Sequence, residues 1–81
     1  MRDERKNVKY EGWKNWDTWA VVLNLENNFE AYNLIVNNKK EWVNLEEFKR
    51  NYGRYVVDRV NWSYVSAKEL KEWYNDLRNA K

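Results

Sequence analysis

Three of the chain's six tryptophans lie within the eight residues 12–19, which read Gly-Trp-Lys-Asn-Trp-Asp-Thr-Trp. Tryptophan is a very large apolar side chain, and its one N–H group needs a hydrogen-bond partner when the ring is buried. A cluster of three therefore belongs either to the core of a small domain or to a surface that contacts another molecule. Which of the two applies decides most of what the sequence indicates about function.

The length of 81 residues allows one domain, and a domain of this size buries only about two thirds of the surface that its unfolded chain exposes. Its core must be small and rich in large side chains, and six Trp, six Tyr and two Phe meet that need. The chain has no cysteine, so no disulfide supports this core. No apolar run approaches the roughly 20 residues of a membrane span, and we expect a soluble, cytoplasmic protein.

The first helical pattern begins after a charged N-terminal segment. Residues 1–9 contain little to bury, and we expect a flexible arm followed by a single helical domain at residues 10–81. Asn15 is a candidate N-cap for the first helix, and Asn28 is a candidate cap for a second one. We predict two short helices with a kink between them; one continuous helix over residues 16–37 is the alternative.

A polar connection at residues 37–40 separates these helices from a third one. Asn44, followed three residues later by Glu47, resembles a capping box, and apolar residues then follow one helical face. The spacing predicts a helix over residues 45–60. Gly53 lies inside it, and because glycine there costs about 1 kcal/mol relative to alanine, we expect it to mark a close approach to another element.

Residues 55–65 are rich in β-branched and aromatic side chains, which suit a strand by propensity. We nevertheless predict helix, because a single strand would lack partners in the rest of the chain. The last helix has two candidate starts: Asn61 as a cap, or Ser66 in a capping box with Glu69.

These patterns together predict an all-α domain of three to four short helices. The predicted core consists of apolar residues that recur at helical spacing: Trp16, Trp19, Leu23, Phe29, Tyr32, Phe48, Tyr52, Val56, Leu70 and Trp73. A homodimer would bury additional apolar surface and is a further means of supporting so small a core.

The side chains on which most enzymes depend are missing from this sequence. It contains no histidine and no cysteine, which removes the imidazole base, the Cys–His pair and the ordinary zinc site. Glu46 and Glu47 are adjacent and point about 100° apart on a helix, so they do not converge on one substrate atom. Asp17 beside Thr18 is better explained as first-turn helix chemistry than as a catalytic pair. We predict a protein that is not an enzyme and uses no cofactor or metal.

Two segments of the sequence resemble a known family. They are Gly-Trp-x-Asn-Trp-Asp-Thr-Trp at residues 12–19 and Val-Asn-Trp-x-x-Val at residues 60–65, with Val22, Leu23, Leu25, an Asn pair and Tyr32 between them. The pattern resembles a family of short proteins of unknown activity, encoded mainly by bacteriophages, plasmids and archaeal mobile elements, that carry Asn-Tyr-Glu-Thr-Trp and Val-Asp-Trp segments. The chain departs from that pattern with Trp16 for Tyr, Asp17 for Glu and Asn61 for Asp.

The resemblance implies a source and a class of function. It carries over no activity. What it implies is an accessory protein of a mobile genetic element, such as an inhibitor or modulator of a host or defence protein complex. If the element is viral, the protein would act in the host cytoplasm.

A basic stretch around the third helix supports one hypothesis, nucleic-acid binding. Its candidate residues are the cations Lys39, Lys40, Lys49, Arg50 and Arg54, with Tyr and Trp between them. Single-strand binders combine such a basic groove with exposed aromatic rings. The net charge of only +2 and the i,i+4 pairs Glu46–Arg50 and Arg54–Asp58 favour instead a solvated surface that neutralises itself.

Protein binding is the hypothesis that the sequence favours. Fourteen aromatic side chains exceed what so small a core readily encloses, and exposed Trp and Tyr are enriched at interface hot spots. The candidate contact residues are Tyr10, Trp13, Tyr64 and Tyr74. The partner would be a protein complex of the host or of a competing element, and a homodimer would use the same surface.

Overall fold

Four α-helices make up most of the structure. The computed structural model describes residues 4–38 and 41–79, so Lys39 and Lys40 lie outside the described residues. The helices α1 to α4 span Trp16–Glu26, Phe29–Val36, Leu45–Tyr52 and Ala67–Asn79, and short 3₁₀ helices span Glu4–Asn7, Gly53–Tyr55 and Trp62–Tyr64. The predicted all-α class is confirmed. Within these residues no helix is both long and apolar enough to cross a lipid bilayer.

Asparagine side chains define where the first three helices begin. Asn15, Asn28 and Asn44 have extended backbone, and each side-chain oxygen accepts the backbone N–H three residues later, at 2.9, 3.0 and 2.8 Å. Each bond satisfies one of the N–H groups that the start of a helix leaves unpaired. The three predicted caps are confirmed, and residues 16–37 form two helices rather than one.

The helix predicted over residues 45–60 is wrong in its second half. α3 gives way to a 3₁₀ turn, and Val56 is extended, with φ −106° and ψ 140°. Val56 and Val57 are β-branched and lose side-chain freedom in a helix. The Val57 N–H instead donates to the Asn24 side chain on α1 at 3.2 Å. Residues 55–65 contain neither α-helix nor strand.

Both candidate starts of the last helix are used, each in a different element. The Asn61 side chain accepts the backbone N–H of Ser63 at 3.0 Å and caps the 3₁₀ turn Trp62–Tyr64. The Ser66 hydroxyl accepts the backbone N–H of Glu69 at 3.3 Å. The α-helix itself begins only after this second cap.

The core lies between α1, α2 and α4, which pack against one another, and is closed by α3 and the segment that follows it. Its buried apolar residues are Ala20, Val21, Val22, Leu25, Ala31, Ile35, Phe48, Tyr52, Val56, Val60, Val65, Leu70 and Tyr74. Four predicted core residues are thereby confirmed as buried, and four others are half-buried: Trp16, Trp19, Leu23 and Trp73.

Two predicted core residues on α2 are wrong. Phe29 is 80% exposed and Tyr32 is 38% exposed. The side of α2 that packs onto α1 and α4 carries Ala31 and Ile35, which are fully buried. Because Ala31 is small, α2 can lie close to its neighbours, whereas a face of aromatic rings would hold it further away. The helix therefore packs by its aliphatic side and leaves its rings outside.

Aromatic rings form the contact between α3 and α4. Phe48 lies 4.8 Å from Tyr52 and 5.8 Å from Tyr74, measured between ring centroids, and Trp42 lies 5.2 Å from Phe48. Tyr74 is 4% exposed, so its prediction as a protein-contact residue is wrong. Burial, and then the neighbouring Tyr52, raise the pKa of Tyr74 to about 12. The Tyr74 hydroxyl therefore stays uncharged well above neutral pH.

A two-residue turn positions the first tryptophan. The backbones of Tyr10 and Trp13 exchange two hydrogen bonds, of 2.9 and 2.8 Å, across this turn. The turn residues Glu11 and Gly12 have φ of 51° and 85°, in the left-handed region that is unfavourable for residues with a Cβ atom. The Tyr10 ring packs edge-on against Trp19, with 4.7 Å between centroids.

Replacing Gly12 with alanine should lower the free energy of unfolding by about 1 to 2 kcal/mol, because a Cβ atom is disfavoured at a positive φ. No atom beyond its chain neighbours lies within 4 Å of the place that this Cβ would take, so the loss reports backbone strain alone. Urea unfolding curves measure it. An unchanged midpoint would contradict the prediction.

Gly53→Ala is the matched control for this substitution. Gly53 has φ −60°, and an added Cβ would lie 3.4 Å from Lys49 and 3.9 Å from Trp62, which are ordinary contacts. The close approach predicted at Gly53 is therefore not found. We expect this alanine to be neutral or to stabilise the fold by up to about 1 kcal/mol.

Candidate interaction surfaces

Asn15, Asp17 and Thr18 form a fully buried group, here called the polar hub, in which each residue has no exposed surface. Burying polar groups is costly unless hydrogen bonds replace their contacts with water. Within the described part of the chain, every buried side-chain nitrogen and oxygen has such a partner. The hub is therefore a closed internal network rather than an open reactive site.

Asn15 uses both ends of its amide group. Its oxygen accepts the Thr18 backbone N–H at 2.9 Å and the Thr18 hydroxyl at 2.8 Å. Its nitrogen donates to the carbonyl oxygens of Lys6, at 2.9 Å, and Tyr64, at 2.8 Å. One side chain thus caps α1 and also ties it to the N-terminal segment and to the turn before α4.

Asp17 forms an ion pair with Arg5, a residue predicted to lie in the flexible arm. The carboxylate accepts hydrogen bonds from the guanidinium at 2.7 and 3.0 Å and from the Asn61 backbone N–H at 2.9 Å. Burial by itself raises the pKa of the Asp17 carboxyl. The hydrogen bonds from Arg5 and Asn61, together with the charge of Arg5, outweigh burial and hold this pKa below its usual value.

The description of residue 5 as part of a solvated arm is thereby corrected. Glu4–Asn7 form a 3₁₀ turn, and the Arg5 guanidinium lies over the rings of Trp16 and Tyr64, 5.4 and 5.6 Å from their centroids. Such cation–π contacts add to the ion pair. Residues 1–3 lie outside the described residues, so the predicted limits of the arm and the domain stay a prediction.

The polar hub joins the two segments that carry the family resemblance. The Thr18 hydroxyl oxygen accepts the Ser66 N–H at 2.9 Å, just after the second segment, and Asp17 accepts the N–H of Asn61 within it. The conspicuous polar residues of the first segment therefore have a structural role. The first-turn interpretation of Asp17 and Thr18 identified their place on α1 but missed Arg5, the partner of Asp17, which no local spacing indicates.

The four predicted protein-contact residues do not form one surface. Tyr10 is 38% exposed and is paired with Trp13, which is half-buried. Tyr64 is half-buried, with Arg5 over its ring. Tyr74 lies in the core. Only Tyr10 and Trp13 are brought together, across their shared turn.

A different apolar surface is exposed on α2. We define the α2 apolar surface as Phe29 and Tyr32, which are three residues apart on one side of the helix and are 80% and 38% exposed. Leu34 is also 45% exposed, but it lies two residues from Tyr32 and therefore on the opposite side of the helix. Only Ala31 and Ile35 of this eight-residue helix are buried. Periodicity identified the aromatic side of α2 but assigned it to the core, because periodicity alone does not distinguish two apolar sides of one helix.

The predicted basic face is only partly described, because two of its five cations lie outside the described residues. Lys49, Arg50 and Arg54 are exposed. The Lys49 Nζ atom lies 6.0 Å from the Trp62 ring centroid, and Arg54 lies 5.1 Å from the Tyr55 centroid and donates to its hydroxyl at 3.1 Å. The rings nearest to these cations are therefore engaged by them.

The self-neutralised character of this face is corrected in one respect. α3 ends before Arg54, so the predicted helical i,i+4 pair Arg54–Asp58 does not exist. The absence of this compensating pair favours a nucleic-acid site. The rings nearest to the cations argue against one, because they are half-buried and each already has a cation of the domain beside it.

The charges of α4 are separated by face, although they alternate in the sequence. Glu69, Glu72 and Asp76 lie on one side of the helix, at spacings of three and four residues. They line an open groove of about 310 Å³ with the half-buried rings of Trp13 and Trp73. A different face carries the cations Lys71 and Arg78, which are seven residues apart, whereas Lys68 lies four residues before Glu72 and borders the acidic row. The equal numbers of acidic and basic residues in α4 therefore do not mean that every side of this helix is neutral.

Neither the site chemistry nor the comparisons identify a reaction. Within residues 4–38 and 41–79, no group of three carboxylates is arranged to hold a metal ion. Comparison of the chain with family models, curated proteins and solved structures found no match.

Proposed function

We propose that this chain is a small non-catalytic binding protein that contacts a protein partner through the α2 apolar surface. The observation that carries the proposal is the exposure of Phe29, 80% of which is open to solvent. Single exposed apolar side chains are common, but two aromatic rings exposed next to each other on one helix side are of the residue type enriched at interaction sites. Burying one such ring in a partner contributes about 1.5 to 3 kcal/mol.

The charges around α2 favour a protein over a nucleic acid as the partner of this surface. No lysine or arginine lies between Lys14 and Lys39, a range that includes all of α1 and α2. The exposed charges there belong to Glu26 and Glu30. Nucleic-acid affinity depends on cations at the phosphates. An apolar, weakly acidic helix suits a hydrophobic groove on another protein.

The alternative function, nucleic-acid binding through Lys49, Arg50 and Arg54, has less support. Non-specific single-strand binding needs exposed rings on which bases can stack. Tyr55 and Trp62, the rings closest to this face, are half-buried and lie against the domain's own cations.

The family resemblance supports a more specific form of the proposal. A mobile-element accessory protein that inhibits or modulates a host or defence complex needs a contact surface and no catalytic group. The chain has the former on α2 and lacks histidine and cysteine. We propose a partner other than a second copy of this chain, and a host-cell cytoplasmic location.

Replacing Phe29 with alanine should weaken binding to this partner by about tenfold or more, the loss expected of an aromatic hot spot. The partner is first captured from a host lysate, identified and purified, and its Kd is then measured by calorimetry. Stability should change by less than about 0.5 kcal/mol, because the ring is exposed.

Val43→Ala is the matched control, since Val43 is 59% exposed but lies outside α2. Its binding should equal that of the parent protein. Equal losses in both variants, or undiminished affinity of Phe29→Ala, would refute the role of α2. Sedimentation at two concentrations completes the test, and a Phe29-dependent dimer would show that the partner is a second copy.

A further inference from the structure

We propose that the groove between the N-terminal turn and α4 binds lysine or arginine side chains from a basic segment of a protein. The groove, here called the cation groove, is lined by Trp13, Trp73, Glu69, Glu72 and Asp76, together with Gly12. The groove is separate from the α2 apolar surface. A negative result for one of the two proposals therefore leaves the other unaffected.

Two indole rings form the apolar walls of the cation groove. Trp13 is held by the paired turn, through its two backbone hydrogen bonds with Tyr10. Trp73 is a residue of α4. Its indole N–H donates to Oε2 of Glu26, the last residue of α1, at 2.9 Å, and this bond fixes the position of the ring. Both rings are half-buried, so each is fixed by the fold and still reachable. Tryptophan faces attract cations more strongly than other aromatic rings do.

Three carboxylates supply the charge of the groove, and two of them have no partner among the residues that the structure describes. Glu69 accepts the Lys14 backbone N–H at 2.8 Å, in the first turn of α4. The side chains of Glu72 and Asp76 make no hydrogen bond or ion pair with any described residue. Their charges are therefore available to a ligand.

Neighbouring cations on α4 do not account for these two carboxylates: Lys68 lies four residues before Glu72 but forms no ion pair with it, and no cation lies three or four residues from Asp76 in the sequence. Glu72 and Asp76 are four residues apart on one helix face, a spacing at which like charges repel. Asp76 lies in the C-terminal half of α4, where the helix dipole favours cations. A bound cation would relieve both unfavourable interactions, so charge complementarity argues for a cationic occupant.

The arrangement of the carboxylates favours an extended organic cation over a metal ion. From Glu69 to Asp76 the helix rises by about 10 Å, and no three carboxylates in the described residues are placed to hold a metal. A row of this length suits a peptide with more than one cation. The acidic groove would repel nucleic acid, so a basic protein segment is the occupant that fits.

The test uses the full chain and a synthetic peptide, acetyl-Gly-Arg-Gly-Arg-Gly-amide, with glutamine in place of arginine in a neutral counterpart. ¹⁵N NMR titration follows the indole N–H signals of Trp13 and Trp73. We expect saturable shifts of these two signals with the arginine peptide and none with the neutral one. No saturable shift, or shifts confined to other residues, would overturn the proposal.

The double variant Glu72→Gln, Asp76→Asn should weaken peptide binding by at least about tenfold. Its matched control is Glu46→Gln, Asp58→Asn, which removes the same charge from exposed positions outside the groove. The control should change affinity by less than about twofold, because only long-range screened electrostatics is altered. Equal losses in both would mean non-specific attraction, and saturable shifts with Mg²⁺ or Ca²⁺ alone would mean a metal site; either result contradicts the proposal.

Discussion

Replacing Asp17 with asparagine is expected to lower the free energy of unfolding by about 2 to 4 kcal/mol, less than the cost of breaking a wholly buried ion pair, because the Arg5 side chain is 44% exposed and keeps part of its hydration. Asp17 has no exposed surface, and its carboxylate accepts hydrogen bonds from Arg5 and Asn61. Asparagine has the same shape but no charge. Its NH₂ group would replace one carboxylate oxygen and would face an N–H donor of Arg5 or Asn61 instead of accepting from it. A domain of this length has about 4 to 12 kcal/mol of stability in total, so the variant should lose a large share of it.

The effect of this substitution should depend on pH in a definite direction. The pKa of Asp17 is lowered in the folded state, so its ionised form contributes stability that is fully present above about pH 4, the unfolded pKa, and is lost as pH falls through the folded pKa. The stability difference between the parent and Asp17→Asn should therefore shrink below pH 4. Urea unfolding at pH 7, 4 and 2.5 measures it.

The control for this experiment is Asp76→Asn, a substitution of the same chemistry at an exposed position without an ion pair among the described residues. Its effect at pH 7 should stay within about 0.5 kcal/mol. If the loss in Asp17→Asn were as small, or remained constant down to pH 2.5, the buried ion pair would not be a major source of stability.

The second large effect is expected for Asn15→Asp, a substitution that helix-capping rules alone treat as neutral. Aspartate keeps the oxygen that accepts the Thr18 N–H. It loses the N–H groups that donate to the carbonyls of Lys6 and Tyr64, and its charge then faces those carbonyl oxygens. Each unsatisfied buried group costs about 1 to 3 kcal/mol, so the loss of stability should be about 2 to 4 kcal/mol.

Asn28→Asp provides the matched comparison, because Asn28 caps α2 through its oxygen with the same geometry. No described residue accepts a hydrogen bond from the Asn28 amide nitrogen, so this aspartate should be neutral or mildly stabilising. Thermal unfolding of both variants distinguishes the two roles. Similar midpoints for Asn15→Asp and Asn28→Asp would show that Asn15 is only a cap.

Helix starts were predictable because the relevant interactions are local. The caps Asn15, Asn28 and Asn44 each act on a backbone N–H three residues away, which a pattern of adjacent residues contains. The limits of the third helix were not predictable in this way. Val57 and Asn61 donate their N–H groups to side chains on α1, 33 and 44 residues distant in sequence, and these tertiary bonds hold the chain outside the helical conformation.

The interaction surfaces were less predictable than the helices, for a related reason. Phe29 and Tyr32 follow a helical spacing that marks an apolar side, but the packing of α2 uses its other side. Likewise, the signs of charge alternate along α4 and separate only when the residues are placed around the helix. Trp13 and Trp73 lie 60 residues apart in sequence, and only the folded chain shows that they line one groove.

Arg5 lies near the N-terminal end of the sequence, yet the buried carboxylate of Asp17 depends on it for its counter-charge. A protease that trimmed the first five residues would remove the only cation paired with Asp17 among the described residues, without cutting any of the four α-helices. An unbalanced carboxylate would remain inside, and its cost would resemble that of a disrupted core. Expression tags and cleavage sites should therefore be placed so that Arg5 and its ion pair with Asp17 are retained.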